Sequence, residues 1–366
     1  NVDAVHGLYY LLMHTVFRVW DGGLLALRLP SVLAMTVTAG LVGLLGHRLA
    51  GPRAGLAAAL VFAVSPTTQY YAQEGRSYAL VCALVAWSSL LLCAAAEDRC
   101  RPGTWTAYAA VQLTACLLHE FAVLALLAHG VTLLTAGAAR PVWRHWAGAG
   151  VVVALGLLPL AVLSQRQSAQ VDWISPPGWG VLLGLAAGAL PTAACTAHLV
   201  RRPTPGAVRL TRYAGPLLIV PPAALLLLSF WHPLFVGRYV LYSTIGGALL
   251  LGAALESVLP PAAACPAPRS PRGVLRAAAV PVTALTALAV SVPWQVHLRS
   301  PESRKDDVVA AARAVGDRGR PGDGVLFLPQ RRRDAQRVLP RAFRGLTDLA
   351  LDRTAAASAT LYGTEV

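Results

Sequence analysis

Residues 77–96 read SYALVCALVAWSSLLLCAAA, a run of twenty residues without a charged side chain. A helix rises about 1.5 Å per residue, so a run of this length can cross the hydrocarbon core of a bilayer, which is roughly 30 Å thick. Charged residues follow the run at once, at Glu97, Asp98 and Arg99. The stretch therefore predicts a transmembrane helix.

Nine other segments are apolar over comparable lengths. In chain order, the ten predicted spans are 24–46, 55–73, 77–96, 105–118, 121–137, 147–163, 179–200, 214–231, 239–258 and 277–298. The fourth and fifth are short, and they could be read as one broken helix. We keep them apart because His119 and Glu120 interrupt the run, and a carboxylate in the middle of a bilayer costs several kcal/mol.

The composition supports this interpretation. Of the 366 residues, 56% are hydrophobic and only 13% are charged, and the mean hydropathy is +0.56. Soluble domains carry about 25% charged residues, and disordered chains carry few aliphatic ones, so neither class fits. The net charge of +14 would suggest a nucleic-acid partner in a soluble protein. Here most of the excess lies in short loops, which favours anionic lipid head groups over nucleic acid and predicts a multi-pass protein of the cell membrane.

The loop arginines predict the orientation of the chain. If the loops alternate sides, one side holds thirteen arginines: Arg48, Arg53, Arg99, Arg101, Arg140, Arg144, Arg201, Arg202, Arg209, Arg212, Arg269, Arg272 and Arg276. The other side holds three, which are Arg76, Arg166 and Arg238. Because cytoplasmic loops are rich in arginine and lysine, we expect the larger set to face the cytoplasm. The two ends of the chain then lie outside.

We predict an all-α polytopic membrane protein with three domains. Residues 1–23 form the end of an outer loop, in which 5–20 is either a helix lying in the membrane interface or a frayed spanning helix. Residues 24–298 form the transmembrane bundle. Residues 299–366 form a small extracytoplasmic α/β tail.

The tail differs in pattern from the rest of the chain. Its sequence predicts a helix near 305–316, an apolar strand over 325–328 and a second helix near 334–351. A unit of this size buries little core, so we expect it to dock on the membrane part or to continue beyond Val366.

Titratable residues of both signs collect on the predicted outer side. They are Asp3, His6, Glu74, His119, Glu120, Asp172 and His232, and they lie beside Arg76 and Arg238. Unpaired burial of such groups is costly. We interpret them as the lining of a pocket that opens to the exterior. The alternative is that each side chain merely extends to water.

Three motifs occupy this outer side. They are DAVHGLYYLLMH at 3–14, followed by LRLPS at 27–31; SPTTQYYAQEGRSYAL at 65–80; and HPLFVGRY at 232–239. Together they resemble the GT-C superfamily of integral-membrane glycosyltransferases. Within it they are similar to the bacterial branch that resembles protein O-mannosyltransferases and the aminoarabinose transferase of lipid A. The resemblance extends over most of 1–258.

The resemblance implies a helical bundle with about eleven spans. It also implies transfer of a sugar, with mannose as our guess, from a polyprenyl-phosphate carrier to a hydroxyl acceptor on the extracytoplasmic side. The acceptor would be a protein, a glycolipid or a wall polymer. Since ten spans are predicted here, one further helix and the acidic pair of the family's first outer loop are expected upstream of Asn1. This leaves the activity of the chain by itself open.

An inverting displacement at an anomeric carbon needs a base near the acceptor hydroxyl and a cation on the departing phosphate. Carboxylates suit the first role, so we take Asp3 and Glu74 as the catalytic candidates. Asp3 occupies the place of the family's acidic motif, although Gly7-Leu8 stands where the family has Pro-Pro. The alternatives are helix capping by Asp3 and pairing of Glu74 with a structural arginine.

The guanidinium fork of arginine matches a phosphate, which makes Arg238 the best phosphate candidate; the alternative is an interfacial arginine. The predicted substrate-binding residues are His6, Tyr71, Gln73, Arg76, His119, Glu120, His232, Arg238 and Tyr239. Both tyrosines could instead belong to an interfacial aromatic belt. Gln112 and His129, inside spans, are expected to form hydrogen bonds between helices.

The outer acids are dispersed and include no Asp-x-Asp, so the sequence does not support a divalent metal, and no cofactor is required. The rival function is a lipid or sugar transporter, or a flippase. Transporters tend to show inverted repeats and charges at mid-membrane. This chain shows neither clearly, and its ionisable groups collect at one face.

Overall fold

The computed structural model describes residues 4–20, 23–97, 102–166, 174–258, 292–300 and 307–366 without 359 and 361, together with 289 and 303. These residues divide into two units, one within 4–291 and the other from Val292 to the C-terminus. Asp3, Asp172 and most of the predicted span 277–298 lie outside the described residues.

The first unit is helical throughout. Its helices are α1 (Gly7–Val19), α2 (Leu24–Ala50), α3 (Pro52–Val64), α4 (Pro66–Ala72), α5 (Tyr78–Glu97), α6 (Pro102–Leu118), α7 (Leu124–Thr135), α8 (Arg140–Gln165), α9 (Trp179–Arg201), α10 (Pro205–Leu228) and α11 (Thr244–Val258). A 3-10 helix precedes α1 at Ala4–His6, another precedes α7 at Glu120–Val123, and a third precedes α11 at Gly237–Ser243.

Six segments of the described chain are long and apolar enough to cross a membrane. They are Leu24–Ala50, Tyr78–Glu97, Arg140–Gln165, Trp179–Arg201, Pro205–Leu228 and Gly237–Val258. The predicted all-α polytopic bundle is thereby confirmed. Several of the ten predicted spans correspond to shorter apolar helices, and the separation of the fourth from the fifth is real because His119 is extended between α6 and α7.

One predicted span is broken. The sequence predicted a single segment over 55–73, but α3 ends at Val64 and α4 begins at Pro66. Proline lacks the amide hydrogen of a helix interior and clashes with the preceding turn, whereas it is favoured in the first turn of a new helix. After this break, α4 leads into the turn that carries Glu74 and Arg76.

Close helix approach depends on small residues. A Cβ atom on Gly46 would lie 2.8 Å from the Cα of Gly55, which brings α2 and α3 together. A Cβ on Gly252 would collide with the backbone of Ala58, so α11 contacts α3 in the same way. Small residues let helix backbones approach closely inside membranes. These contacts fix the centre of the bundle.

A buried polar network connects α5, α6 and α7. The hydroxyl of Ser88 donates to the Gln112 side chain over 2.9 Å, and the His129 ring lies 3.0 Å from the Ser89 hydroxyl and 2.8 Å from the Tyr108 phenol. The predicted role of Gln112 and His129 as partners between helices is confirmed. Satisfying these groups internally is necessary because lipid offers them no hydrogen bonds.

The first and last residues of α5, Tyr78 and Glu97, mark two ends of the bundle. At one end Arg238 meets Tyr78, and Tyr242 donates to the carbonyl of Phe121. At the opposite end Arg48 contacts Glu97, 2.8 Å away. We name these the Arg238 end and the Glu97 end.

The second unit is a small α/β structure. It contains the helix Val308–Arg318, a parallel pair of strands, β1 (Gly324–Val325) and β2 (Thr347–Asp348), and an antiparallel pair, β3 (Leu351–Arg353) and β4 (Thr364–Glu365). Ala312, Phe327 and Phe343 form its core. The guanidinium of Arg333 is buried and donates to the carboxylates of Asp348 and Glu365.

Two predictions for the tail were wrong in extent. The strand over 325–328 is reduced to the pair Gly324–Val325. The predicted helix over 334–351 ends at Val338, and β2 begins within its predicted range. Pro340 lacks an amide hydrogen and Gly345 has a φ of +82°, so neither residue continues a helix.

Candidate active site

A tight turn between α4 and α5 carries the second motif. The hydroxyl of Ser31 donates to the carbonyl of Glu74 over 2.6 Å, which ties this turn to α2. A Cβ on Gly75 would lie 2.6 Å from the Leu27 side chain, so glycine permits the close approach. The LRLPS motif thus positions the turn rather than contributing chemistry of its own.

Arg238 lies against this turn at the start of the 3-10 helix Gly237–Ser243. Its Nε donates to the Tyr78 hydroxyl over 3.1 Å. Its Cζ lies 5.9 Å from the centroid of the Tyr78 ring and 5.7 Å from that of Tyr239. A guanidinium held by aromatic faces keeps its positive charge. Tyr78, the last residue of the Tyr-x-Gln-Glu-x-Arg-x-Tyr string, was missing from the predicted site.

His119 is packed among aromatic rings beside Arg238. Only 3% of the residue is exposed, and its ring centroid lies 4.7 Å from that of Tyr239 and 5.3 Å from that of Tyr78. His6 also approaches, at 6.1 Å. Burial, aided by the charges of His6 and Arg238, lowers the pKa of His119 to about 3. The imidazole is therefore neutral near pH 7.

The aromatic wall extends on both sides of these residues. The Tyr71 and Tyr78 centroids are 6.1 Å apart, and Phe121 stacks on Tyr239 at 5.2 Å with an interplanar angle of 15°. Tyr71 and Tyr239, from two separate motifs, thus meet through Tyr78. A wall of this kind offers flat apolar faces next to one cation.

Glu74 and Arg76 project from the turn without pairing. Among the described residues, neither side chain has a hydrogen bond or an ion pair, and Glu74 is half-buried while Arg76 is exposed. Glu74 lies close enough to Tyr71 and Tyr78 to influence both electrostatically. The structure therefore leaves a carboxylate near the aromatic wall with no protein partner in the described chain.

Three of the predicted substrate-binding residues in the described chain show no ring contact with the aromatic wall. Gln73 donates back to the carbonyl of Gln69, 3.2 Å away within its own segment. The Glu120 carboxyl interacts with the Ser164 hydroxyl of α8. His232 is exposed, and its side chain contacts no ring or hydrogen-bonding group of the described residues. These three stay predictions as substrate contacts, and Asp3, which lies outside the described residues, stays a prediction as a catalytic candidate.

Buried polar atoms without a partner mark the same region. Within the described residues, nothing lies within hydrogen-bond distance of the Tyr9 hydroxyl, the Ser77 hydroxyl or the His119 Nδ1. The exposed fractions of the three residues are 4%, 2% and 3%. An unsatisfied buried polar group costs free energy, which a ligand hydroxyl could recover. Sequence reasoning missed Tyr9 and Ser77, which look like ordinary helix residues.

No group of three or more His, Cys, Asp or Glu side chains in the described part of the chain is arranged to hold a metal ion.

The chain resembles known proteins in sequence and in fold. A family model described as dolichyl-phosphate-mannose-protein mannosyltransferase matches residues 8–163. ArnT from Cupriavidus metallidurans, solved in the apo state and bound to undecaprenyl phosphate, has the same architecture. Both structures are 15% identical to this chain and cover 93% of it and 78% of their own length, with TM-scores of 0.61 and 0.60.

The chain has a GT-C fold. The resemblance to the GT-C superfamily drawn from the three motifs is confirmed, and the family match covers the second motif and the first from residue 8 onwards. No curated protein sequence matches the chain. Within this GT-C fold, described residues from each of the three motifs, such as His6, Tyr78 and Tyr239, lie at the Arg238 end.

Proposed function

We propose that this protein is a membrane glycosyltransferase that moves a sugar from a polyprenyl-phosphate carrier to a hydroxyl acceptor. The main support is the placement of Arg238 between Tyr78 and Tyr239, beside the neutral His119. The similar ArnT structure that holds undecaprenyl phosphate adds support from the fold.

Arg238 is the proposed contact of the donor phosphate. Its Nε is oriented by the Tyr78 hydroxyl, and the rings of Tyr78 and Tyr239 lie beside its half-buried guanidinium. As the bond between sugar and phosphate breaks, negative charge grows on the leaving phosphate. A cation already oriented towards the phosphate stabilises that charge without the reorganisation that water requires.

Glu74 is the proposed base within the described chain. An inverting transfer requires that the acceptor hydroxyl lose a proton as its oxygen attacks the anomeric carbon. The Glu74 carboxylate has no protein partner among the described residues and lies near Tyr71 and Tyr78. Asp3 is the second candidate for this role.

The sugar is assigned by analogy. The name of the matching family suggests mannose. Tyr71, Tyr239 and His119 would contact the sugar, since flat aromatic faces and a neutral hydrogen-bonding ring suit a polyol. A protein, a glycolipid or a wall polymer would accept it, on the extracytoplasmic side of the cell membrane, where the tail also lies.

The test is transfer of labelled sugar from polyprenyl-phosphate donors by the full-length protein in membranes. Mannosyl phosphate carriers should label an acceptor, and Arg238→Ala should lower turnover by about 10²- to 10³-fold, as removal of a charge-stabilising group does. Arg166→Ala is the matched control, because Arg166 is an exposed arginine at the end of α8. Normal turnover by Arg238→Ala would remove this residue from the site. Wild-type protein that transfers no sugar from any such donor would contradict the proposed function.

A further inference from the structure

A cavity lies at the Glu97 end of the bundle. Its volume is about 370 Å³, within the range of about 300–1,000 Å³ typical of ligand sites. It lies where α3, α9, α10 and α11 end or begin, and it is lined by Ala50, Arg53, Leu199, Arg202, Thr204, Ala207, Ala253, Glu256 and Ser257. The 15 residues of α11 separate it from the Arg238 end by about 22 Å.

Two arginines line this cavity without a protein partner. Within the described chain, Arg53 and Arg202 form neither an ion pair nor a side-chain hydrogen bond. Their neighbours behave differently: Arg48 and Arg209 lie 2.8 Å and 3.7 Å from the Glu97 carboxylate. Among the described residues, the two guanidinium groups therefore lack a direct ion-pair partner.

The backbone adds positive potential to the same cavity. Helix α3 begins at Pro52 and α10 begins at Pro205, and both first turns adjoin lining residues. Thr204 caps α10 by accepting the amide hydrogen of Ala207 over 3.1 Å. Helix N-termini favour a nearby anion, most commonly a phosphate. This contribution supports the arginines and does not define a site by itself.

A carboxylate shares the cavity with the two arginines. Glu256 lines the wall and has no hydrogen bond or ion pair with any described residue, although its neighbour Ser257 contacts the His198 ring at 3.0 Å. A purely anionic ligand would be repelled by Glu256. A ligand with a phosphate and an ammonium group would satisfy both signs at once.

The surroundings favour a lipid as the source of such a ligand. The cavity lies at the ends of α9, α10 and α11, which are apolar enough to cross a membrane. Val200 and Val208, next to the cavity-lining residues, are 66% and 38% exposed. Phospholipid head groups lie at the ends of spanning helices, and their acyl chains lie against exposed apolar side chains.

We propose that this cavity binds the head group of a zwitterionic phospholipid, as in phosphatidylethanolamine. The phosphate lies between Arg53 and Arg202, and the ammonium group pairs with Glu256. The site is separate from the sugar-transfer site and does not depend on the proposed function.

The test is a lipid titration of the full chain in detergent, read by native mass spectrometry. Wild-type protein should bind phosphatidylethanolamine more tightly than phosphatidylglycerol. The double variant Arg53→Ala, Arg202→Ala should bind both lipids about tenfold more weakly, because the phosphate loses charge-assisted hydrogen bonds. Glu256→Gln should weaken only phosphatidylethanolamine and abolish the preference.

The matched control is Arg140→Ala, Arg144→Ala. It removes two arginines at the start of α8, where the adjacent His145 stacks on Trp105 near the Glu97 end, but neither lines the cavity. This control should bind both lipids as the wild type does.

Three results would overturn the proposal. The first is wild-type affinity in the Arg53, Arg202 double variant. The second is an unchanged lipid preference in Glu256→Gln, a ratio that does not depend on how much of the variant is folded. The third is equally tight binding of soluble phosphoethanolamine, which would show that the cavity takes a free metabolite instead of a lipid.

Discussion

The two ends of the bundle hold their arginines in opposite ways. At the Arg238 end, a phenol hydroxyl and two aromatic faces hold Arg238. At the Glu97 end, one carboxylate holds Arg48 and Arg209. An aromatic face orients a guanidinium and leaves its charge intact, whereas a carboxylate cancels that charge. Aromatic contacts orient the guanidinium of Arg238 at one end, while the ion pairs of Glu97 join helices at the other.

Burial sharpens this contrast. The side chains of Arg48, Arg209 and Glu97 are 39%, 51% and 41% exposed, so water screens their attraction. His119, beside Arg238, is only 3% exposed. Electrostatic interactions are stronger where water is excluded. Substitutions at the Arg238 end should therefore alter chemistry, and substitutions around Glu97 should alter stability slightly.

The largest effect is expected from Glu74→Gln. Loss of a general base lowers turnover by about 10²- to 10⁴-fold, while the amide keeps the size of the side chain. The measurement is sugar transfer per mole of protein that remains folded in detergent. Glu120→Gln, whose carboxyl contacts Ser164, is the matched control with a smaller effect. Full activity of Glu74→Gln would exclude Glu74 as the base.

Tyr78→Phe should have an intermediate effect. The substitution removes the hydroxyl that accepts from Arg238 Nε but keeps the aromatic ring. We expect turnover to fall about tenfold, equivalent to about 1.4 kcal/mol of transition-state stabilisation. Tyr213→Phe removes a phenol near Glu97 and should leave transfer unchanged. Equal losses in both variants would mean that the two ends do not differ as proposed.

The burial of His119 predicts a pH dependence of stability. The pKa of the folded-state imidazole is about 3, against an ordinary value of 6.5. Between these values the unfolded chain binds a proton that the folded protein does not, so stability falls as the pH falls from 6.5 towards 3. The thermal midpoint of unfolding, measured in detergent, should therefore fall as the pH is lowered from 6.5 towards 3.

His119→Gln should flatten the slope, and His14→Gln, at an exposed position of α1, should keep it. An identical pH slope in His119→Gln and the wild type would assign the dependence to other groups.

The smallest effect is expected from Glu97→Gln. Exposed ion pairs contribute about 0–1 kcal/mol, so the thermal midpoint should fall slightly and sugar transfer should not change. Added salt should lower the wild-type midpoint by a similar amount, since salt screens exposed pairs. A large loss of transfer in Glu97→Gln would break the separation between a chemical end and a structural end.

The sequence predicted most of the helices from local hydropathy. Runs such as 77–96 are so apolar that only a membrane-spanning helix suits them, and α5 covers almost the same residues. Boundaries failed where a single proline acts, as between Val64 and Pro66. In the tail, short strands pair with partners elsewhere in the chain, so the local pattern suggested a longer helix than the one that ends at Val338.

The candidate site residues differ in how far they could be recognised from the local sequence. Arg238 and His119 were chosen as charged or titratable groups in an apolar chain, and both lie in the aromatic cluster. Tyr78 and Tyr9 were missed because tyrosines at helix ends commonly lie in the interface. His232 drew attention by its type alone, and its exposure could not be read from a local pattern.

The amino-acid order by itself determined that the chain is a polytopic helical bundle, and it predicted a concentration of arginines on one side, because hydropathy and charge act on each segment separately. Only the tertiary structure decided that Tyr78 and Arg238, 160 residues apart, form a hydrogen bond, and that Arg53 and Arg202 have no carboxylate partner in the described chain while Arg48 and Arg209 share one. Such pairings depend on which helices become neighbours. That choice depends on packing across the whole bundle, where glycines such as Gly46 and Gly252 let particular helices touch.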